Sequence, residues 1–116
     1  MCNTLVVKPA EDASLTTIRI AELALEAGFP EGVFNIVTGL GSEAGAALSA
    51  HPLVDYVTFT GSPATGTAIQ QAAARNNRGM TMELGGKSPQ IVFADADLGA
   101  ALSFLVNPGI QNAGQS

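Results

Sequence analysis

The stretch Tyr56-Val57-Thr58-Phe59-Thr60-Gly61-Ser62-Pro63-Ala64-Thr65-Gly66 predicts a strand, a tight turn and the start of a helix. β-Branched and aromatic residues before Gly61 favour a buried strand. Ser62 is a good N-cap, and Pro63 stands where a missing N–H costs nothing. The N-terminus of such a helix attracts anions, and Gly61 would let a phosphate approach the backbone. By itself, the stretch is equally consistent with an ordinary strand-to-helix turn.

Predicted strands and helices alternate on both sides of this stretch. Further strands are indicated over residues 3–8, 33–37, 80–84 and 90–93. Helices are indicated from a Ser14 cap to Gly28, over residues 43–50 and 62–76, and over 98–106 behind an Asp97 cap, with a helix-breaking tail from residue 107. This order predicts an α/β fold, a parallel sheet with helices on both faces.

Ligands of such sheets lie outside the carboxyl ends of the strands. The residues predicted at those ends are Lys8, 39–42, 61–62 and Glu83. A seam at Gly85-Gly86 suggests one domain over residues 1–85 and the start of a second over 86–116.

The composition indicates surfaces that further polypeptide or a second subunit would cover. Apolar residues make up 47% of the 116 residues and charged residues 13%, about half the usual share of roughly 25%. The net charge of −5 and five scattered basic residues argue against nucleic-acid binding. No membrane span or signal sequence is evident, so we expect a cytoplasmic location. One cysteine, Cys2, and one histidine, His51, exclude an internal disulfide and a metal cluster.

Two common nucleotide motifs are absent. The first predicted strand is followed by Lys8-Pro9-Ala10-Glu11 rather than by a G-x-G-x-x-G fingerprint. Gly61 and Gly66 have the spacing of a phosphate-binding loop, but Thr67-Ala68 replaces the required Lys and Ser or Thr. An ordinary Rossmann enzyme and a nucleotide hydrolase are therefore both disfavoured.

Four short motifs, in order, resemble the aldehyde dehydrogenase superfamily. They are Lys8-Pro9-Ala10-Glu11, Phe59-Thr60-Gly61-Ser62, Glu83-Leu84-Gly85-Gly86-Lys87-Ser88-Pro89 and Asn112-Ala113-Gly114-Gln115. The resemblance implies a variant Rossmann-like domain that binds NAD(P) and the first part of a catalytic domain. It also implies an aldehyde substrate and a homo-oligomeric parent, a dimer or tetramer.

Site residues follow from the resemblance, position by position. Lys8 and Glu11 match the pair that holds the adenosine ribose, and Glu11 would repel a 2′-phosphate, which favours NAD although NADP stays open. Ser62 matches a pyrophosphate contact. Small residues near the adenine are matched by Gly41, Gly45 and Thr65, and the remaining cofactor positions by Phe59, Thr60, Gly61, Gly66 and Leu84.

Glu83 resembles the family's general base, which activates water to hydrolyse a cysteine thioester. Apolar neighbours around this lone acid would raise its pKa, as such a base requires. The family's nucleophilic cysteine would be the residue after Ser116, and Cys2 cannot replace it. Lys87 is interpreted as structural.

The sequence thus predicts a fragment of an NAD(P)-dependent aldehyde dehydrogenase that makes a carboxylic acid, inactive by itself. Two alternatives stay open: a non-catalytic polypeptide that keeps nucleotide binding or an assembly role, and an acylating relative that passes the thioester to coenzyme A. Glu83 argues against the acylating relative. The sequence does not name the aldehyde.

Overall fold

The computed structural model describes residues 3–86 and 89–111. Predictions for Cys2, Lys87 and residues 112–116 lie outside this part. Packing divides the chain into two units, Met1–Glu83 and Leu84–Ser116.

In the described residues, four strands and four helices alternate along the chain. The strands are β1 (Leu5–Val7), β2 (Phe34–Ile36), β3 (Tyr56–Gly61) and β4 (Gly79–Leu84). The helices are α1 (Ser14–Glu26), α2 (Ala46–Ala50), α3 (Pro63–Arg75) and α4 (Leu98–Ile110), with a 3-10 turn over Glu11–Ala13 and a π turn over Gly41–Gly45. The α/β fold class is confirmed.

The four strands pair as two two-stranded sheets. β1 and β2 are parallel, with Leu5 opposite Phe34 and Val7 opposite Ile36, and β3 pairs with β4. Helix α1 packs against β2, and α3 packs against β3 and α2. One edge of β1 and one edge of β3 line the same cleft. Among the described residues, no strand pairs with these two edges.

The start of α3 follows the sequence prediction. The Ser62 side chain accepts a hydrogen bond from the Thr65 N–H at 3.2 Å, and Pro63 is the first helical residue. Helix α4 likewise begins behind Asp97, whose carboxylate accepts from the Ala100 N–H at 3.2 Å. Both caps supply acceptors for N–H groups that have no partner within the helix.

Three local predictions are wrong. Ser14 does not cap α1; a 3-10 turn precedes it, and the Ser14 hydroxyl donates to the Ala10 carbonyl at 3.1 Å. Residues 90–93 form no strand because no described strand offers them a ladder. Residues 107–110 continue α4 through Pro108, and the Gln111 N–H still donates to the Asn107 carbonyl beyond it.

Few apolar side chains are buried. Among the described residues, Ala73 is the buried apolar side chain in a regular element, whereas Leu15, Leu53 and Ile91 are more than 80% exposed. A surface of this kind is covered by other polypeptide in most folded proteins. Within the described residues, no helix is long and apolar enough to span a membrane.

Candidate nucleotide-binding site

The carboxyl end of β1 carries a lysine that is mostly buried and forms an ion pair with a carboxylate. Lys8 follows the last residue of β1, and its side chain is only 13% exposed. Its Nζ lies 3.5 Å from Glu11 Oε1, and the Glu11 side chain is 48% exposed. The first turn after β1, which contains no glycine, therefore presents a positive and a negative charge side by side.

The glycine-rich turn after β2 contacts both charges. Lys8 Nζ donates to the Gly39 carbonyl at 2.9 Å and to the Pro9 carbonyl at 2.7 Å. The Gly41 N–H donates to Glu11 Oε1 at 2.6 Å. Sequence reasoning placed residues 39–42 at the same edge of the sheet but did not predict that the Gly39 carbonyl accepts a hydrogen bond from Lys8, because a backbone carbonyl that binds a lysine has no signature in the sequence.

Hydrogen bonds keep Glu11 ionised. Its own backbone N–H, then the Gly41 N–H, then the nearby Lys8 ammonium lower the pKa of the carboxyl below its usual value. Each of these groups favours the charged form. The pair thus offers an ammonium donor and a carboxylate acceptor at one place.

Two glycines lie beside this pair. A Cβ at Gly45 would lie 3.4 Å from Lys8 Cδ, and a Cβ at Gly41 would lie 3.7 Å from Glu11 Oε1. Both distances are ordinary van der Waals contacts, and the place of adenine beside these glycines stays a prediction.

The start of α3 provides the second group of predicted residues. The Ser62 hydroxyl lies 2.9 Å from the Thr65 hydroxyl and also accepts the Thr65 N–H. Pro63 has no N–H, and the Thr65 N–H already donates to Ser62. The start of α3 therefore offers fewer free N–H groups to an anion than the sequence alone suggests. Gly61 lies against the Phe59 ring, and a Cβ added to residue 61 would lie 2.6 Å from Phe59 Cζ.

One cleft of about 1700 Å³ brings the two groups together. It exceeds the roughly 300–1,000 Å³ that is typical of small-molecule sites. Predicted cofactor residues that line it are Lys8, Glu11, Gly41, Gly45, Phe59, Thr60, Gly61, Ser62 and Thr65. Gly66, which is buried in α3, and Leu84 are not among the lining residues.

Glu83 lies in β4 and is exposed. It is not among the residues that line the cleft. The apolar environment that the sequence suggested for its carboxyl is therefore not provided by the described residues. Within the described residues, no cluster of His, Cys, Asp and Glu could hold a metal ion.

Comparison with known proteins decides the family. The model of the aldehyde dehydrogenase family matches residues 1–116. The chain belongs to the aldehyde dehydrogenase family. This chain is 55% identical over 113 residues to a hydroxyisobutyraldehyde dehydrogenase from Mycolicibacterium austroafricanum. The match covers 97% of this chain and 22% of the relative. The chain is also 55% identical to a cytosolic aldehyde dehydrogenase from Elephantulus edwardii, covering 98% of this chain and 23% of the relative.

Solved structures of family members share the fold. An NAD-dependent aldehyde dehydrogenase from Sinorhizobium meliloti matches with a TM-score of 0.88 and 55% identity, over 97% of this chain and 22% of its own. Aldehyde dehydrogenase C from Pseudomonas syringae, solved with NAD⁺ and octanal, matches with a TM-score of 0.88 and 45% identity, over 97% and 23%. The chain therefore spans less than a quarter of the length of these relatives.

Proposed function

We propose that this chain supplies part of the NAD-binding domain and the general base of an aldehyde dehydrogenase that converts an aldehyde to a carboxylic acid. The observation that carries the proposal is the contact between Lys8, Glu11 and the turn over Gly39 to Gly41, at the strand ends where α/β proteins bind nucleotides. Family membership supports the reaction class, and solved relatives contain NAD⁺.

In this proposal, Lys8 and Glu11 bind the adenosine ribose. An ammonium donates to one hydroxyl of a vicinal diol, and a carboxylate accepts from the other. The charged state of Glu11 is favoured by the Gly41 N–H and by Lys8, so it would repel a 2′-phosphate and favour NAD over NADP. Ser62 lies at the start of α3, where a helix N-terminus stabilises an anionic pyrophosphate.

The chemical steps divide between this chain and polypeptide outside it. When bound, NAD⁺ supplies the hydride acceptor for aldehyde oxidation. A cysteine that we expect outside these residues forms the thioester, and Glu83 takes a proton from the water that hydrolyses it. Because Glu83 is exposed in the described chain, we propose that polypeptide outside these residues supplies its desolvation.

We further propose that these residues belong to a longer polypeptide. Two observations support this: many large apolar side chains are exposed, and the unpaired edges of β1 and β3 line a cleft larger than a nucleotide site needs. The 116 residues alone should then oxidise no aldehyde. We expect the complete protein to be a cytoplasmic homo-oligomer, since a second subunit could cover part of the same apolar surface.

The proposed reaction is tested in the complete polypeptide with Glu83→Gln. Glutamine keeps the shape of the side chain but cannot accept the proton, so we expect one burst of NADH per active site followed by slow turnover. Asp95→Asn, a change to another exposed acid, is the control and should keep steady turnover. Normal steady-state rates in Glu83→Gln would remove Glu83 from the mechanism, and turnover that requires coenzyme A would favour the acylating alternative.

The proposed cofactor role is tested separately by nucleotide binding. Replacing both Lys8 and Glu11 with alanine should raise the NAD dissociation constant and leave the rate at saturating NAD nearly unchanged, because neither residue touches the reacting atoms in this proposal. Isothermal titration calorimetry measures the first quantity and steady-state kinetics the second. An unchanged dissociation constant in the double variant would contradict the ribose role.

A further inference from the structure

The Lys8 ammonium is anchored mainly by backbone carbonyls. Its two short hydrogen bonds, 2.7 Å to the Pro9 carbonyl and 2.9 Å to the Gly39 carbonyl, fix its position. The third contact, to Glu11 Oε1, is long at 3.5 Å. Since an ammonium has three donors, the long contact is the one that a ligand hydroxyl can replace at least cost.

The Glu11 carboxylate is anchored by the same turn through a different group. Oε1 accepts from the Gly41 N–H at 2.6 Å and faces Lys8. No hydrogen bond from another described residue reaches the other oxygen, Oε2, and the Glu11 side chain is 48% exposed. The anchored pair therefore keeps one N–H and one carboxylate oxygen available, which is the complement of two neighbouring hydroxyls.

The two anchoring groups stand on either side of Leu40. Its φ of −67° and ψ of 144° set the angle between the Gly39 carbonyl and the Gly41 N–H. Gly39 has a φ of +146°, and a Cβ there would lie 3.0 Å from Ala44 Cβ. A side chain at residue 39 would therefore be both strained and crowded, so the turn requires glycine at this position.

We propose that the turn of Gly39, Leu40 and Gly41 is a positioning element that holds Lys8 and Glu11 in the geometry that binds a ribose diol. The turn touches neither hydroxyl. It acts by fixing the two charged groups before the nucleotide arrives, which removes part of the ordering cost of binding. This inference rests on the proposed function, in which the pair binds the adenosine ribose.

The experiment measures binding of AMP and of 2′,3′-dideoxy-AMP to the complete polypeptide by calorimetry. The wild-type protein should prefer AMP by about tenfold or more, as expected for hydrogen bonds to charged groups. In Gly39→Ala this preference should fall to about one, with the affinity for dideoxy-AMP unchanged, because only the diol contacts depend on the turn.

Gly28→Ala is the matched control. Gly28 also has a positive φ, 91°, but a Cβ there meets nothing within 4 Å. The Gly28→Ala protein should retain the full preference for AMP over dideoxy-AMP. If Gly39→Ala does not fold, Leu40→Gly replaces it as the test, since it frees the angle between the two peptide groups without adding an atom, and it should lower the preference in the same way.

The outcomes separate this inference from the proposed function. A turn variant that keeps the wild-type preference, or that weakens binding of both ligands equally, overturns the positioning role and leaves the ribose role of Lys8 and Glu11 intact. A wild-type protein that binds both ligands equally well overturns the ribose role, and the positioning role with it.

Discussion

Arg78→Ala is expected to destabilise the complete protein by about 1 kcal/mol. Arg78 lies just beyond α3 and contacts the segment before β3. Its Nη2 donates to the Pro52 carbonyl at 2.7 Å, a charge-assisted bond that contributes roughly 1.5–3 kcal/mol. The ion pair with Asp55 at 3.5 Å contributes little, because Asp55 is 93% exposed.

An opposing effect keeps the expected loss small. Arg78 Nε is buried and has no hydrogen-bond partner in the described part of the chain. Burying such a donor costs roughly 1–3 kcal/mol, and alanine removes this cost together with the favourable bond. We expect the bond to outweigh the buried Nε by a small margin, because its distance of 2.7 Å is short for an N–H to O hydrogen bond and its donor is charged.

Denaturant unfolding measures this difference. Arg78→Lys is the informative comparison, because an ammonium can still donate to the Pro52 carbonyl but has no Nε to bury; it should stay within about 0.5 kcal/mol of wild type. Arg75→Ala is the control, a cation in the last turn of α3 with no hydrogen bond in the described residues, and should cost about 0.5 kcal/mol or less. An Arg78→Ala protein as stable as wild type, or more so, would show that the unpartnered Nε outweighs the bond.

Two further predictions concern the predicted site. Ser62→Ala should lower stability by about 1 kcal/mol, because the Thr65 N–H loses its cap, and Ser62→Asn should restore most of it; equal unfolding midpoints for the three proteins would contradict the capping role. Because the folded pKa of Glu11 lies below its usual value of 4.5, its stabilising contribution is complete above that pH and is lost as the pH falls through the lowered pKa. The stability difference between wild type and Glu11→Gln should therefore shrink on acidification, and a difference that grows would refute this.

The sequence by itself determined the elements whose signals are local. Helix α3 begins where Ser62 and Pro63 predict, and α4 begins behind Asp97, because capping depends on residues within one turn. The parallel pairing of β1 and β2, which α1 joins, followed from the alternation of patterns. The order of four motifs identified the family that comparison then confirmed. The prediction of a helix-breaking tail from residue 107 is wrong, because α4 passes through Pro108. A proline near the end of a helix removes only one hydrogen bond of the ladder.

Only the tertiary structure decided how the predicted site residues meet. Lys8 and Gly39 are far apart in the sequence, and their contact joins a side chain to a backbone carbonyl, a group that every residue carries and no sequence pattern marks. The prediction of a strand over residues 90–93 is wrong because strand formation also depends on distant segments. A strand exists only where another strand offers its hydrogen bonds. Glu83 is exposed in β4, and the exposure of a side chain likewise depends on packing that its own neighbours in the sequence do not fix. Local chemistry fixes where elements start, whereas contacts between distant segments are fixed by packing, and packing depends on the whole chain.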